Sequence, residues 1–252
     1  MVLLQGKRLS KSFPIEGGLW RRTVGTVQAL HDVSFEIAKG ETLALVGGSG
    51  CGKSTLAKLV AGLLEPDAGE LLWEDQPLAS WDRWKRGQKI QMIFQDPYAS
   101  LNPKLSIGTQ LEEVLRGTER KNPAELLAAV GLPLDTLSHY PFQFSGGQRQ
   151  RIAIARALAM QPELLIADEP LSALDVTTQA QILELFNQLK KTYQLTFLFI
   201  THDLVVANAF SDRILVLKDG RKVEEGETRS LLENPKDPYT QALLAAVPRL
   251  PC

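Results

Sequence analysis

The 252-residue sequence predicts an α/β fold with a mainly parallel sheet, crossover helices and a helical insertion. Three observations carry that reading. A glycine-rich turn lies between a strand and a helix at residues 47–55, apolar strands and a helix alternate from Leu164 to Ile200, and strand signals vanish between Asp96-Pro97 and Leu164.

The chain starts β-rich, with Val33, Phe35 and Ile37 alternating with polar residues at the period of a half-exposed strand. Thr42-Leu43-Ala44-Leu45-Val46 reads as a buried strand, and Leu56, Leu59, Val60 and Leu63 then recur at helical spacing. Between them, Gly47-Gly48-Ser49-Gly50-Cys51-Gly52-Lys53-Ser54-Thr55 fits the pattern Gly, four residues, Gly-Lys-Ser/Thr. Glycines let backbone N–H groups curl around a phosphate at a helix amino end, where the partial positive charge favours an anion. Lys53 is expected to reach the β- and γ-phosphates of a nucleotide, with the Ser54 hydroxyl on Mg²⁺. Strand, loop and helix in this order set the motif apart from a turn that merely caps a helix.

Ile90 to Phe94 is a mostly apolar strand ending at Gln95. Helices follow: Ile107, Leu111, Val114 and Leu115 form one apolar stripe, Pro123 opens a second short helix, and Gly131 closes it. Ser145-Gly146-Gly147-Gln148 leads into Arg149-Gln150-Arg151 and an apolar helix through Ile152, Ala155 and Leu158, a second helix amino end able to receive an anion. The strand Leu164-Leu165-Ile166-Ala167 delivers Asp168 and Glu169 at its carboxyl end, where open α/β sheets place their ligands. Asp168 is expected to hold Mg²⁺ through its shell, and Glu169 to orient and deprotonate an attacking water. A helix with the stripe Ile182, Leu185, Phe186 and Leu189 precedes the strand Thr196-Phe197-Leu198-Phe199-Ile200, and Asp219-Gly220 joins two short strands in a hairpin.

Composition narrows the class. With 44% hydrophobic residues the chain can bury one large core or two unequal lobes, and a net charge of −1 gives no global attraction to nucleic acid. No apolar run approaches the roughly 18 residues of a membrane span, and Met1 to Arg8 lacks a signal-peptide layout. Two cysteines, Cys51 and Cys252, make no disulfide framework and suit a reducing cytoplasm. Trp81-Asp82-Arg83-Trp84-Lys85-Arg86 mixes aromatics with cations and reads as a solvated connecting segment with its tryptophans partly packed; Trp20-Arg21-Arg22 reads as part of a loop insertion between early strands.

The phosphate loop, Gln95, Phe144-Ser145-Gly146-Gly147-Gln148, Leu164 to Glu169, Ser172-Ala173-Leu174-Asp175 and His202 together resemble the ordered motif set of ABC-transporter ATP-binding subunits, over nearly the whole chain. That resemblance implies a P-loop NTPase core with an N-terminal antiparallel β subdomain (residues 1–95 and 160–232), an inserted α-helical subdomain carrying the signature loop (96–159) and a C-terminal tail (233–252). It implies ATP and Mg²⁺ as cofactors and a head-to-tail dimer, each ATP lying between one subunit's phosphate loop and the other's signature loop. Ser145, Gly146, Gly147 and Gln148 then line the partner's nucleotide, with Ser145, Gly147 and Gln148 gripping its γ-phosphate; Asp175 contacts the opposite site, and His202 bonds the γ-phosphate. Gln95 senses Mg²⁺ and the membrane partner, and Phe13 offers an aromatic face to adenine. Phe144 stands where the family usually has leucine and remains large and apolar. Cys51 lines the loop, and a thiol near backbone amides and Lys53 is expected to have a somewhat favoured thiolate.

Gln95-Asp96-Pro97-Tyr98-Ala99-Ser100-Leu101-Asn102-Pro103 and the tail Asn234-Pro235-Lys236-Asp237-Pro238-Tyr239-Thr240-Gln241-Ala242-Leu243-Leu244 are similar to segments of the dipeptide, oligopeptide and nickel importer ATPases. Physically the tail is a Pro-punctuated turn followed by a short apolar helix. Some relatives carry a longer cysteine-bearing extension that holds an iron–sulfur cluster; with the sequence running to Cys252, none is expected. The resemblance thus implies an ATPase at the cytoplasmic face of the cell membrane that powers import of a peptide, nickel or related solute. Its implied partners are integral-membrane permease subunits, a second identical or paralogous ATPase subunit and, indirectly, an extracytoplasmic solute-binding protein, with no nucleic acid. A soluble relative acting on DNA or ribosomes would carry coiled-coil arms or a second cassette, and a switch that binds ATP without turnover is disfavoured by Glu169 and His202.

Overall fold

The computed structural model describes residues 1–17, 22–98, 100–116, 118 and 122–246. Trp20, Arg21, Ala99 and Cys252 lie outside the described residues, and with them part of the expected loop insertion and the end of the tail. In chain order the first elements are β1 (Val2–Gly17), β2 (Arg22–Ala38), β3 (Thr42–Val46) and α1 (Lys53–Ala61). There follow β4 (Ala68–Trp73), β5 (Gln76–Pro77), α2 (Arg83–Lys89), β6 (Ile90–Ile93), α3 (Ile107–Leu115), α4 (Pro123–Ala129) and α5 (Gly146–Ala159). The remainder comprises β7 (Leu164–Asp168), α6 (Val176–Tyr193), β8 (Thr196–Ile200), α7 (Leu204–Phe210), β9 (Arg213–Lys218), β10 (Arg221–Glu227), α8 (Thr228–Glu233) and α9 (Pro238–Ala245).

The chain divides into two compact units, residues 1–86 with 198–252, and residues 87–197. In the first, an antiparallel sheet in the order β2-β1-β4-β5 follows from the period-2 pattern: Val33, Phe35 and Ile37 are buried while Glu36 is exposed. The all-buried β3 pairs in parallel with β9, and β10 returns antiparallel to β9 through Asp219-Gly220. Both turn residues have positive φ, 48° and 73°, as a tight hairpin of matching twist requires. Ala44, Val46, Ile214 and Val216 of these strands form a core with Leu204 and Ala207 of α7 and Leu231 of α8. Tyr239, Leu243 and Leu244 of α9 pack on that core, so the tail is a docked helix.

Helix α1 stops before Leu63. Gly62 adopts the left-handed conformation (φ 75°), its N–H and that of Leu63 close on Leu59 and Lys58 carbonyls, and Leu63 ends 56% exposed outside the helix. The predicted stripe was one residue too long because periodicity does not register a C-cap. The segment around Trp81 also differs from a plain connector: Arg83–Lys89 is helical, and Arg86 donates to the carbonyls of Leu59 (2.7 Å) and Val60 (3.0 Å), capping the carboxyl end of α1. Trp81 packs on Trp73 with ring centroids 5.6 Å apart and carries Lys85 over its face, whereas Trp84 is exposed.

In the unit formed by residues 87–197, β6 and β7 are parallel neighbours, and Phe94 falls outside the strand and is exposed. Ser106 and Asn122 cap α3 and α4 with side-chain oxygens, Pro123 occupies the first turn of α4, and Gly131 follows its C-cap at φ 68°. Leu126, Leu127, Ile152, Ile154 and Ala155 are fully buried there. Helix α6 buries the predicted stripe Ile182, Leu185, Phe186 and Leu189, with Phe186 edge-on to Phe197.

Candidate nucleotide-binding and catalytic site

Strand β3 delivers the chain into the glycine loop. A Cβ at Gly47 would stand 2.2 Å from the Leu217 carbonyl oxygen and 2.7 Å from Cys51 Sγ, so a side chain does not fit. Gly52, the residue preceding α1, has φ 106°, and a Cβ there would stand 2.4 Å from the Ala29 carbonyl oxygen. Being glycine, it gives α1 no side-chain cap, and the first turn of α1 holds no acidic residue. Ser145, Asp175, Asp203 and Asp237, by contrast, cap their helices with side-chain oxygens. The positive end of the α1 dipole therefore suits an anion supplied from outside the chain, and a phosphate group fits it.

Lys53 is buried, and its Nζ donates to the carbonyl oxygens of Gly47 (2.8 Å) and Gly48 (2.9 Å) with Cys51 Sγ at 4.0 Å. Ser49, Gly50 and Ser54 face solvent. Cys51 corrects the expectation of a favoured thiolate. Burial pushes its thiol above the ordinary range, and the opposing pull of the Lys53 ammonium is the smaller effect.

The same unit carries His202 and Phe13. His202 is exposed, one residue before Asp203, whose carboxylate accepts from the amides of Val205 (2.8 Å) and Val206 (3.4 Å) at the start of α7. The side-chain cap of α7 is thus supplied by Asp203. Phe13 is half-buried on β1 opposite Val27, with Lys11 Nζ 5.9 Å from its ring centroid.

Residues 87–197 hold the remaining candidates. Gln95, just past β6, donates its Nε2 to Glu169 Oε2 at 3.3 Å. Asp168 ends β7 and is buried; Glu169 follows in the left-handed region at φ 46°, a conformation that costs a non-glycine residue about 1 kcal/mol or more. Its carbonyl oxygen accepts from both the N–H (3.3 Å) and the Oγ (3.1 Å) of Ser172, which fixes the turn. Asp175 caps α6, accepting from the Thr178 hydroxyl (2.7 Å) and amide (3.0 Å); these bonds hold its carboxyl below the usual range.

Ser145 and Gln148 form a reciprocal capping box at the amino end of α5: Ser145 N–H donates to Gln148 Oε1 (3.0 Å), and Gln148 N–H to Ser145 Oγ (3.3 Å). The turn packs against the Asp175 loop. A Cβ at Gly147 would stand 2.4 Å from Thr178 Cγ2, and one at Gly146 3.3 Å from Leu174 Cδ2. Phe144 is half-buried, edge-on to His139 with centroids 6.0 Å apart.

Of the predicted residues, the structure joins Gln95 with Glu169, and Ser145 to Gln148 with the Asp175 loop. Two further residues, Thr178 and Tyr239, join the site without having been expected there. Thr178 was accessible from the sequence, because a hydroxyl three residues after an N-cap aspartate is a natural bonding partner. Tyr239 was not: its Oη accepts the Gly48 N–H at 2.8 Å, across a separation of 191 residues.

A family model described as ABC transporter matches residues 30–172, and one described as the C-terminal region of oligopeptide/dipeptide transporters matches residues 223–251. The chain is 46% identical to the oligopeptide transport ATP-binding protein AppF of Bacillus subtilis, covering 98% of this chain and 78% of the relative. It is 45% identical to the dipeptide transport ATP-binding protein DppF of Escherichia coli, covering 98% of this chain and 77% of that one. Among solved structures, it is similar to a dimeric ATP-binding cassette in a post-hydrolysis state bound to ADP and Pi, with TM-score 0.78, 33% identity, and coverage of 90% of this chain and 99% of that chain. With its glycine loop, acidic strand end and Ser-Gly-Gly-Gln helix start lying in one continuous match, the chain belongs to the ABC transporter family as an ATP-hydrolysing, ATP-binding subunit.

Proposed function

We propose that this chain powers the import of peptides through separate membrane subunits, using ATP hydrolysis at head-to-tail dimer sites. The observation that carries the nucleotide reading is the amino end of α1, a helix start with no side-chain cap, no acidic first turn and a buried Lys53 beside it. The peptide reading is supported by the match of residues 223–251 and by relatives named for oligopeptide and dipeptide transport.

In this reading the amides of the glycine loop and Lys53 hold the ATP phosphates, while Phe13 stacks on the adenine. Ser54, Gln95 and Asp168 hold Mg²⁺, whose part is to neutralise charge on the phosphates. One carboxylate and few side-chain ligands agree with an ion that keeps much of its water. Glu169 takes the proton of the attacking water, oriented by Gln95, and His202 bonds the γ-phosphate. Ser145, Gly146, Gly147, Gln148 and Asp175 act on the nucleotide held by the partner subunit. The partners are permease subunits, a second ATPase subunit and, through the permease, a solute-binding protein. Attachment to the cytoplasmic face of the membrane is through the permease subunits, and no helix among the described residues is long and apolar enough to cross a membrane.

Reconstitution of the full chain with permease subunits and a solute-binding protein in vesicles tests this. Added oligopeptide is expected to raise Mg-ATP hydrolysis, and Lys53→Ala to abolish it. Stimulation by nickel and not by peptide would reassign the cargo; hydrolysis indifferent to every membrane partner would overturn the transporter role.

A further inference from the structure

Tyr239 sits on α9, in a tail that the nucleotide reading does not use, yet its hydroxyl reaches the glycine loop. The Gly48 N–H donates to Tyr239 Oη at 2.8 Å. The Gly48 carbonyl meanwhile accepts from Lys53 Nζ at 2.9 Å and from the Cys51 N–H at 3.4 Å. Gly48 is thus held on both of its peptide groups, one through the loop's own residues and one through the tail. A lysine that turns toward a phosphate gives up its bonds to the Gly47 and Gly48 carbonyls, whereas the bond from the Gly48 N–H to Tyr239 does not depend on where the lysine points.

The tyrosine is itself firmly placed. Its ring packs on the core of β3, α7 and β9, and Lys218 Nζ lies 4.9 Å from the ring centroid. Upstream, the Glu224 carboxylate on β10 accepts from the amides of Lys236 (2.8 Å) and Asp237 (3.1 Å), and Asp237 caps α9 by accepting from Tyr239 N–H at 2.7 Å. A Cβ at Gly48 would stand 3.1 Å from Tyr239 Oη, so hydroxyl and loop are in close contact, and Gly48 lies outside the left-handed region.

We propose that Tyr239 is a positioning residue for the ATPase reaction, through which the C-terminal segment holds the phosphate loop in its binding shape. The inference rests on the nucleotide reading of the loop. The physical basis is preorganisation: a loop already fixed at Gly48 has less freedom to lose when ATP binds. The hydroxyl's contribution is that of one hydrogen bond to a half-buried amide, so its loss weakens Mg-ATP binding about threefold to tenfold.

The test measures Mg-ATP affinity, KM, kcat and thermal stability for the full chain and two substitutions. Tyr239→Phe keeps the ring and its packing; the expected result is a Kd and KM raised about threefold to tenfold, with kcat within about twofold of the wild type and an unchanged melting temperature. Gly48→Ala presses a methyl on the hydroxyl, so it should weaken binding more in the Tyr239 background than in the Tyr239→Phe background, a non-additive pair. Unchanged Kd in Tyr239→Phe, or strictly additive effects, overturns the proposal. A loss of kcat in step with a fallen melting temperature also overturns it, because that marks a purely structural tyrosine. Absence of Mg-ATP binding by the wild-type chain sinks the nucleotide reading itself and the inference with it.

Discussion

The Gln95 side-chain amide lies 3.3 Å from the Glu169 carboxylate, to which it donates. Glu169 is held there by a left-handed backbone and by the two Ser172 bonds to its carbonyl oxygen, so its side chain leaves the strand end in a set direction. A carboxylate oriented in this way can present an oxygen to a proton donor from a defined direction.

From that geometry, Glu169→Gln is expected to slow hydrolysis by roughly 10²- to 10⁴-fold while leaving ATP binding intact, since size and polarity are kept and only the base is lost. With turnover slowed, Mg-ATP should favour the dimer by mass action, and Mg-ADP should return it to monomer. Phosphate release near the wild-type rate would show that another group activates the water. Light scattering that finds only monomer at saturating ATP would count against the shared nucleotide site.

Gly147→Ala is expected to abolish hydrolysis with little effect on ATP binding, because its methyl collides with Thr178 Cγ2 and Thr178 is the partner of Asp175. Thr178→Ser removes the colliding methyl and keeps the hydroxyl. The double substitution should therefore regain much of the lost rate. Steady-state phosphate release measures this, and failure of rescue would mean that the collision is not the cause.

Cys51 should react with maleimide slowly near neutral pH, and its alkylation rate should rise with pH later than that of an exposed thiol. The sign is that of an acid whose neutral form is favoured by folding. Its contribution to stability is full below the ordinary thiol pKa and is lost as pH rises through the folded value. A labelling profile that turns up earlier than a free thiol's would restore the activated-thiolate expectation.

Glu224 binds the start of the tail. Burial raises its pKa, but the Thr240 side chain and the amides of Lys236 and Asp237 outweigh that and hold the carboxyl below the ordinary value of 4.5. Its stabilisation is present above that ordinary value and is lost as pH falls through the lower folded one. Glu224→Gln is expected to cost about 1–2 kcal/mol near neutral pH, read as a lowered melting temperature. Below the folded pKa the difference from wild type should shrink, and a difference that persists there would point to lost packing instead of lost charge.

Local sequence determined the parts of this protein whose causes are local. The strand Thr42–Val46, the phosphate loop, the caps at Asn122 and Ser145, the buried stripe of α6 and the Asp219-Gly220 hairpin follow from periodicity, turn chemistry and capping, all of which act within a few residues. The motif order was equally legible, because phosphate chemistry needs glycine, lysine and carboxylate at set places. Only the tertiary structure decided that Tyr239 closes on Gly48, that Arg86 caps α1, that burial outweighs Lys53 at Cys51, and that Gly147 abuts Thr178. These depend on which distant surfaces share a core and on how much water is removed from between them. Neither quantity has a period, a spacing or a composition that a linear reading can detect.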